Sequence, residues 1–197
     1  IRFHNYNQIA QRIQKEIKKK PKGIIITHGT DTLHYTSAAL AFILENINIP
    51  IILVGSQRSS DRPSTDSALN LLHAVKFIRE SNFKGVAICM HDTINDTSSV
   101  ILPACKTRKL HTSRRDAFKP VNSSPIATID KTIKFYDSKQ EKIKDKLKIK
   151  PIKENLKIGI IKVHPNIYAG EFDFYKNYDA LIIEGTGLGH APVEKID

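Results

Sequence analysis

The sequence has few cysteines and lacks long apolar runs. No apolar stretch is long enough to span a bilayer, and no secretory signal is visible. Cys89 and Cys105 are the only cysteines in 197 residues, and neither belongs to a cluster with the spacing of metal ligands. We therefore expect a cytoplasmic protein in a reducing compartment, with no membrane partner, metal or cofactor.

Acidic residues are outnumbered, with 20 Asp and Glu against 31 Lys and Arg, for a net charge of +11. A basic surface permits contact with nucleic acid but does not establish it. Most lysines fall within residues 15–22 and 131–157, and we interpret them as solvated faces and a flexible link. Since no motif interleaves aromatic and basic residues, direct nucleic-acid binding is the weakest interpretation of the charge.

Residues 23–44 are the most informative stretch. Residues 24–26 are three isoleucines, a run that predicts a strand buried on both faces. A helix should begin after Thr30 and Asp31, and a second strand follows over residues 51–54. Ligands of open α/β sheets bind beyond the carboxyl ends of the strands, so Thr30 and Asp31 stand where a site would be. Both side chains could equally do no more than cap the helix.

The rest of the first 136 residues repeats this pattern. An amphipathic helix is predicted over residues 5–20, packing on the first strand. A third helix should begin at Thr65 or Asp66. The residues expected to face inward on it are Ala68, Leu69, Leu72, Val75, Phe77 and Ile78.

Further strands are predicted over residues 85–90 and 100–102, and a hairpin over residues 126–129 and 132–136. Three successive strands thus end in polar residues, at 27–32, 55–66 and 91–96. That repetition favours a site over simple capping.

Two features complete the organisation of the chain. Residues 106–118 mix cations with polar residues, which suits either an exposed loop or a loop that inserts one lysine into the site. We expect a domain over 1–136, a charged linker over 137–156 and the start of a smaller α/β domain over 157–197. The predicted fold class is α/β, with an open, parallel-rich sheet and flanking helices.

Four separated motifs resemble those of the bacterial-type L-asparaginases. The sequence His-Gly-Thr-Asp-Thr at residues 28–32 follows a strand, as the family signature does. Residues 55–66, 113–118 and 184–192 are most similar to one branch, the D subunits of archaeal glutamyl-tRNA(Gln) amidotransferases. The resemblance covers nearly the whole chain and implies the asparaginase fold.

The resemblance also implies an activity and the residues that perform it. The family cleaves the side-chain amide of asparagine or glutamine through a covalent acyl-enzyme. Thr30, Asp31 and Lys109 match catalytic residues, and Lys109 precedes Phe118 by nine residues. Gly29 and Ser56 match substrate-binding positions, as do Thr30 and Asp31. A lysine can act as a base near neutral pH only if it is desolvated.

One departure from the family pattern is important. The primary nucleophile of the family is a threonine in a Thr-Gly-Gly-Thr-Ile turn near the N-terminus, and these 197 residues contain no such turn. Because the sequence begins with Ile1, we expect a processed chain or a fragment. Our hypothesis is that a companion chain supplies the missing segment. The alternative is a trimmed chain.

Three functions are consistent with these residues. The first is an amidohydrolase subunit that releases ammonia for tRNA-dependent amidation of Glu-tRNA(Gln), with a partner amidotransferase subunit and tRNA. The second is a free L-asparaginase. The third is a non-catalytic, amino-acid-binding scaffold. The resemblance further implies assembly of identical copies into a dimer or tetramer.

Overall fold

The computed structural model describes residues 1–136 and 145–193, and the chain folds into two compact units, Ile1–Ile152 and Lys153–Asp197. The helices of the first unit are α1 (Phe3–Ile17), α2 (Leu33–Ile43) and α3 (Ser67–Glu80). Its strands are β1 (Ile24–Thr27), β2 (Leu44–Glu45), β3 (Pro50–Val54), β4 (Gly85–His91), β5 (Ser99–Pro103), β6 (Thr107–Lys109), β7 (Phe118–Pro120), β8 (Ala127–Ile129), β9 (Ile133–Phe135) and β10 (Lys148–Ile149). The second unit has β11 (Ile158–Lys162), α4 (Gly170–Asp173) and β12 (Ala180–Glu184).

A six-stranded sheet in the order β1-β3-β4-β5-β8-β9 organises the first unit. The pairs β1–β3 and β3–β4 are parallel, and the remaining three pairs are antiparallel. The predicted α/β class is confirmed, as is the hairpin of β8 and β9. The parallel half, β1, β3 and β4, directs the carboxyl ends of its strands to one edge, where the polar segments follow.

The burial of β1 differs from the expectation. Its three isoleucines are only half-buried, whereas all five residues of β3 are buried. The reason is the strand order, because among the described residues β1 lies at the edge of the sheet and pairs with β3 alone. The expectation of a strand buried on both faces is therefore wrong for β1; the neighbouring β3 is the strand whose five residues are all buried.

The inward face of α3 also differs from the prediction. Phe77 is fully buried as expected, but Leu72 is 65% exposed and Val75 is 41% exposed. The buried positions of this helix are Asn70, His73, Ala74 and Phe77. The helix is thus rotated relative to the predicted face, and two polar side chains point into the protein.

Part of the predicted linker belongs to the first unit. Strand β10 pairs antiparallel with β2, with Lys148 opposite Glu45. The side chain of Asn7 on α1 donates to the carbonyl of Ile152 and accepts from its amide, both at 2.9 Å. These pairings bring the boundary between units to residue 152. Residues 137–144 of the predicted linker lie outside the described residues.

The second unit is a parallel pair of strands with a short helix. In β11 and β12, Ile161 pairs with Ile183. Ile161, Val163 and Ile167 form a small core on which Phe172, Tyr175 and Leu181 pack. Residues 186–190 form a tight turn closed by a bridge between its ends, Thr186 and His190. Across both units, no helix in the described ranges has the length and apolarity needed to cross a membrane.

Candidate active site

The candidate site begins where β1 leaves the sheet. The amide of His28 still donates to the carbonyl of Val54, at 2.9 Å, and extends the β1–β3 ladder by one bond. Gly29, Thr30 and Asp31 then form the site loop before α2. The N-cap of α2 is Thr32, and in this described segment its side chain makes no capping hydrogen bond.

Lys109 reaches this loop from the hairpin of β6 and β7. Its Nζ donates to Thr30 Oγ1 at 2.9 Å and to Asp31 Oδ1 at 2.7 Å. Lys109 pairs with Phe118 across the hairpin, and Phe118 is fully buried, which anchors the strand that carries the lysine. The structure therefore brings together the three side chains predicted to be catalytic, and the loop over residues 106–118 inserts one lysine. Their catalytic roles stay predictions.

The two charged side chains of this pair lie in different environments. The side chain of Lys109 is 9% exposed, whereas that of Asp31 is 90% exposed. The hydrogen bond from Lys109, followed by its positive charge, lowers the pKa of Asp31. The carboxylate is thus ionised at neutral pH and remains open to a ligand from solvent.

A cavity of about 380 Å³ adjoins the pair on the side of α2. Burial lowers the pKa of His34 in its wall, and the nearby charges of Arg108 and Lys109 lower it further. The lining residues are Asp31, His34, Tyr35, Arg108, Lys109, Leu110, His111 and Thr112. In residues 1–136 and 145–193, no three His, Cys, Asp or Glu side chains converge as metal ligands.

Gly29 and Ser56 occupy different places relative to this group. Gly29 lies in the site loop, and its carbonyl accepts from His28 Nδ1 at 2.6 Å. Ser56 lies in the turn after β3, and its one hydroxyl hydrogen is shared between the carbonyl of Arg58, the nearer acceptor, and Asp66 Oδ1 at 3.1 Å. The structure thus directs the Ser56 hydroxyl into its own loop. Its role in substrate binding stays a prediction.

The turn that contains Ser56 packs directly on the site loop through Gly55. A Cβ atom added at Gly55 would lie 2.9 Å from Leu33 Cδ1, 3.0 Å from the carbonyl oxygen of His28 and 3.1 Å from Thr30 Cγ2. These distances leave no room for a side chain. The glycine lets the backbone after β3 form one wall beside Thr30.

Sequence reasoning missed the polar group behind this turn. Asp66, Asn70 and His91 are each 0% exposed. Asn70 Oδ1 accepts from His91 Nδ1 at 2.7 Å and from Ser99 Oγ at 3.1 Å. The available signal was a polar side chain, Asn70, at a core position of an apolar helix.

The family of the chain can be assigned once this geometry is known. The family model described as Asparaginase, N-terminal, matches residues 1–141. The chain belongs to the asparaginase family. This membership agrees with the resemblance of the four motifs.

Individual members of the asparaginase family are similar to this chain in sequence and in structure. The D subunit of the glutamyl-tRNA(Gln) amidotransferase from Methanococcus vannielii is 50% identical over 190 residues, 93% of this chain and 44% of that protein. The thermostable L-asparaginase from Thermococcus kodakarensis superposes with a TM-score of 0.85 at 27% identity, over 98% of this chain and 56% of that one. L-asparaginase I from Vibrio cholerae superposes with a TM-score of 0.86 at 27% identity, over 98% of this chain and 57% of that one. The chain thus spans less than half the length of the Methanococcus vannielii relative.

Proposed function

We propose that this chain is the catalytic part of an amidohydrolase that releases ammonia from the side-chain amide of glutamine or asparagine for amidation of Glu-tRNA(Gln). The observation that carries the proposal is the contact of Lys109 Nζ with both Thr30 and Asp31, at 2.9 and 2.7 Å. The amidotransferase relative at 50% identity supports the link to tRNA-dependent amidation. The proposal includes a cytoplasmic location, which suits the free thiols of Cys89 and Cys105.

The proposed chemistry divides the work among the three side chains. A threonine hydroxyl attacks the amide carbon, and ammonia leaves as the acyl-enzyme forms. Water then attacks the acyl carbon and frees the carboxylic acid. In its neutral form Lys109 accepts the proton of the attacking hydroxyl or water through Thr30. It returns that proton first to the amide nitrogen, which leaves as ammonia, and in the second step to the threonine oxygen that is released from the acyl-enzyme. Asp31 orients the lysine and, being exposed, accepts a hydrogen bond from the α-amino group of the substrate.

The attacking threonine lies on a companion segment in this proposal, carried by a separate chain. Strand β1 is an edge strand, and edge strands pair with added strands through their free backbone groups. A cavity of about 340 Å³ separates β1 from α1. The residues that line it are Ile9, Arg12, Ile13, Glu16, Ile24, Ile25, Ile26 and Thr27. This largely apolar groove beside a free edge supports docking of a strand at that position.

The proposed assembly also includes identical copies, as a dimer or tetramer, and a partner amidotransferase subunit with tRNA.

A second candidate function is that of a free L-asparaginase. The superposition on the Thermococcus kodakarensis L-asparaginase, with its TM-score of 0.85, favours this alternative. It requires neither the partner subunit nor tRNA.

The two functions differ in their response to charged tRNA. The test measures ammonia release from glutamine and from asparagine by the enzyme purified with its native partners, with and without Glu-tRNA(Gln). Strong stimulation by the charged tRNA supports the amidotransferase role. Full activity without tRNA supports the free asparaginase. No release under any of these conditions would contradict both.

A further inference from the structure

A fully buried carboxylate stands behind the turn that packs on the site loop. Asp66 Oδ2 accepts from the backbone amide of Gln57 and from Asn70 Nδ2, both at 3.0 Å. Its Oδ1 accepts from the amide of Arg58 at 2.9 Å and from the hydroxyl of Ser56 at 3.1 Å. All four donors are uncharged. A buried carboxylate needs such a complete set, because each unmet hydrogen bond in the interior is costly.

The position of Asp66 in the sequence conceals this arrangement. Asp66 is the N-cap residue of α3, where an aspartate ordinarily bonds to the first amides of its own helix. In the described structure this side chain makes no cap hydrogen bond to α3. The carboxylate faces back along the chain instead and binds three consecutive residues of the turn, 56–58.

Asn70 fixes the orientation of this carboxylate from the side of the core. Its Nδ2 donates to the carbonyl of Gly55 at 3.0 Å as well as to Asp66. Its Oδ1 accepts from His91 and Ser99, so the amide uses its donors on one side and its acceptor on the other. This pattern allows the amide a single orientation. Both ends of the turn, Gly55 and Arg58, are therefore held by buried side chains.

The same turn is in contact with the site loop. Gly55 lies so close to Thr30 and Leu33 that a methyl group there would meet both within 3.1 Å. A displacement of the turn would therefore change the wall beside Thr30. We infer that Asp66 and Asn70 are positioning residues that hold residues 55–58 against the site loop and thereby fix the position of Thr30. This inference rests on the proposed function.

Hydrogen exchange of the wild-type chain tests the inference without any substitution. The amides of Gln57 and Arg58 should exchange at least about 100-fold more slowly than their unprotected rates, since a buried acceptor holds them. Ser59 and Ser60 are exposed in the same loop and provide the internal reference. If the amides of residues 57 and 58 exchange as fast as those of 59 and 60, the inference is wrong.

Kinetics of Asp66→Asn test the consequence for the pocket. The variant keeps the shape but replaces an acceptor oxygen with a donor, so the backbone amide of either Gln57 or Arg58 loses its acceptor. A group that binds the substrate equally in the ground and transition states contributes to KM and not to kcat. We therefore expect KM to rise about tenfold in the variant and kcat to change less than about threefold. Asp61→Asn removes the same charge from an exposed position of the loop and is the control.

A merely structural role for Asp66 predicts a different result. Partial unfolding of the variant would lower the apparent kcat in proportion to the folded fraction and leave KM unchanged. An unchanged KM in Asp66→Asn therefore overturns the inference. If the wild-type enzyme hydrolyses neither glutamine nor asparagine, the proposed function fails, and hydrogen exchange still decides whether Asp66 holds the turn.

Discussion

At the scale of single residues, the most informative contrast lies within one ion pair. The ammonium of Lys109 is withdrawn from water, whereas Asp31 is 90% exposed. The carboxylate that neutralises the lysine is thus also open to a second cation, such as the α-amino group of an amino-acid substrate. A substrate that pairs with Asp31 would therefore sit beside Lys109, which contacts the carboxylate of this pair, and beside Thr30, which contacts the ammonium.

Replacement of Lys109 by alanine tests the proposed base. We expect Lys109→Ala to lower kcat for ammonia release by at least about 100-fold, the typical contribution of a positioned base. The fold should persist, because an ion pair with an exposed partner contributes about 0–1 kcal/mol to stability. Steady-state ammonia release by the complete enzyme measures the first effect, and a thermal melt measures the second.

Lys106→Ala is the matched control for that substitution. Lys106 is exposed three positions earlier in the same segment, so its loss should leave kcat unchanged. Activity of Lys109→Ala equal to wild type would support the third function, a non-catalytic scaffold. Equal losses in the two variants would point to a general effect of charge instead of a base.

Thr30 and Asp31 could be placed at the site because their motif and the strand–helix boundary are both local in sequence. The convergence of Lys109, 78 positions from Asp31, was predicted only through the family resemblance. Asp66 and Asn70 could not be assigned in the same way. Their partners come from a turn eight to fifteen residues earlier or from other strands, as with the bond from His91 to Asn70 across 21 positions. A cap residue and a polar residue in an apolar helix acquire a role only when the strand order is known.

At the scale of elements, α3 shows how an ambiguous pattern was resolved by packing. Leu71 and Leu72 are adjacent, so the apolar residues of this helix fit more than one face. The structure selects the face of Asn70, His73, Ala74 and Phe77, because polar partners on β4 and β5 satisfy the first two. Leu71, Leu72 and Val75 are exposed as a result.

Two substitutions on α3 separate the observed face from the predicted one. Phe77 is fully buried, and its ring centroid lies 5.5 Å from that of Phe83. Phe77→Ala should therefore lower the free energy of unfolding by about 3–5 kcal/mol. Leu72→Ala should change it by less than about 0.5 kcal/mol. Denaturant titration of both variants measures the difference. A similar loss of unfolding free energy in the two would show that the predicted face of α3 is the buried one.

The order of strands within the sheet was also beyond the reach of local patterns. The strands β1, β3, β4 and β5 could be located by their β-branched runs. Their lateral order is set by long-range pairing, which left β1 at the edge and half-buried. The short strands β2 and β10 pair although about a hundred residues separate Glu45 from Lys148, and no local feature of the sequence signals such a contact.

At the scale of the whole molecule, three histidines of the first unit share one electrostatic property. Burial is the main cause that lowers the pKa of His34, His73 and His91 below its ordinary value of 6.5. His34 lies apart on α2, whereas His73 on α3 and His91 on β4 both join the hydrogen-bonded group of Asn70 and Ser99, so the effects of these two are coupled. A histidine with a lowered pKa in the folded state binds a proton more readily when the chain unfolds.

The free energy of unfolding of the chain should therefore fall as the pH is lowered from 7.5 to 5.5. In this window the unfolded state binds more protons than the folded state, because the pKa of these three histidines is near 6.5 in the unfolded chain and lower in the folded one. The carboxyls with lowered pKa values, Glu16, Asp31, Glu45 and Asp130, lose their contribution only below their ordinary values of 3.8 to 4.5. Urea titrations at both pH values measure the slope, and His91→Asn should make it shallower. A stability that rises on acidification would contradict the buried, neutral state of these rings.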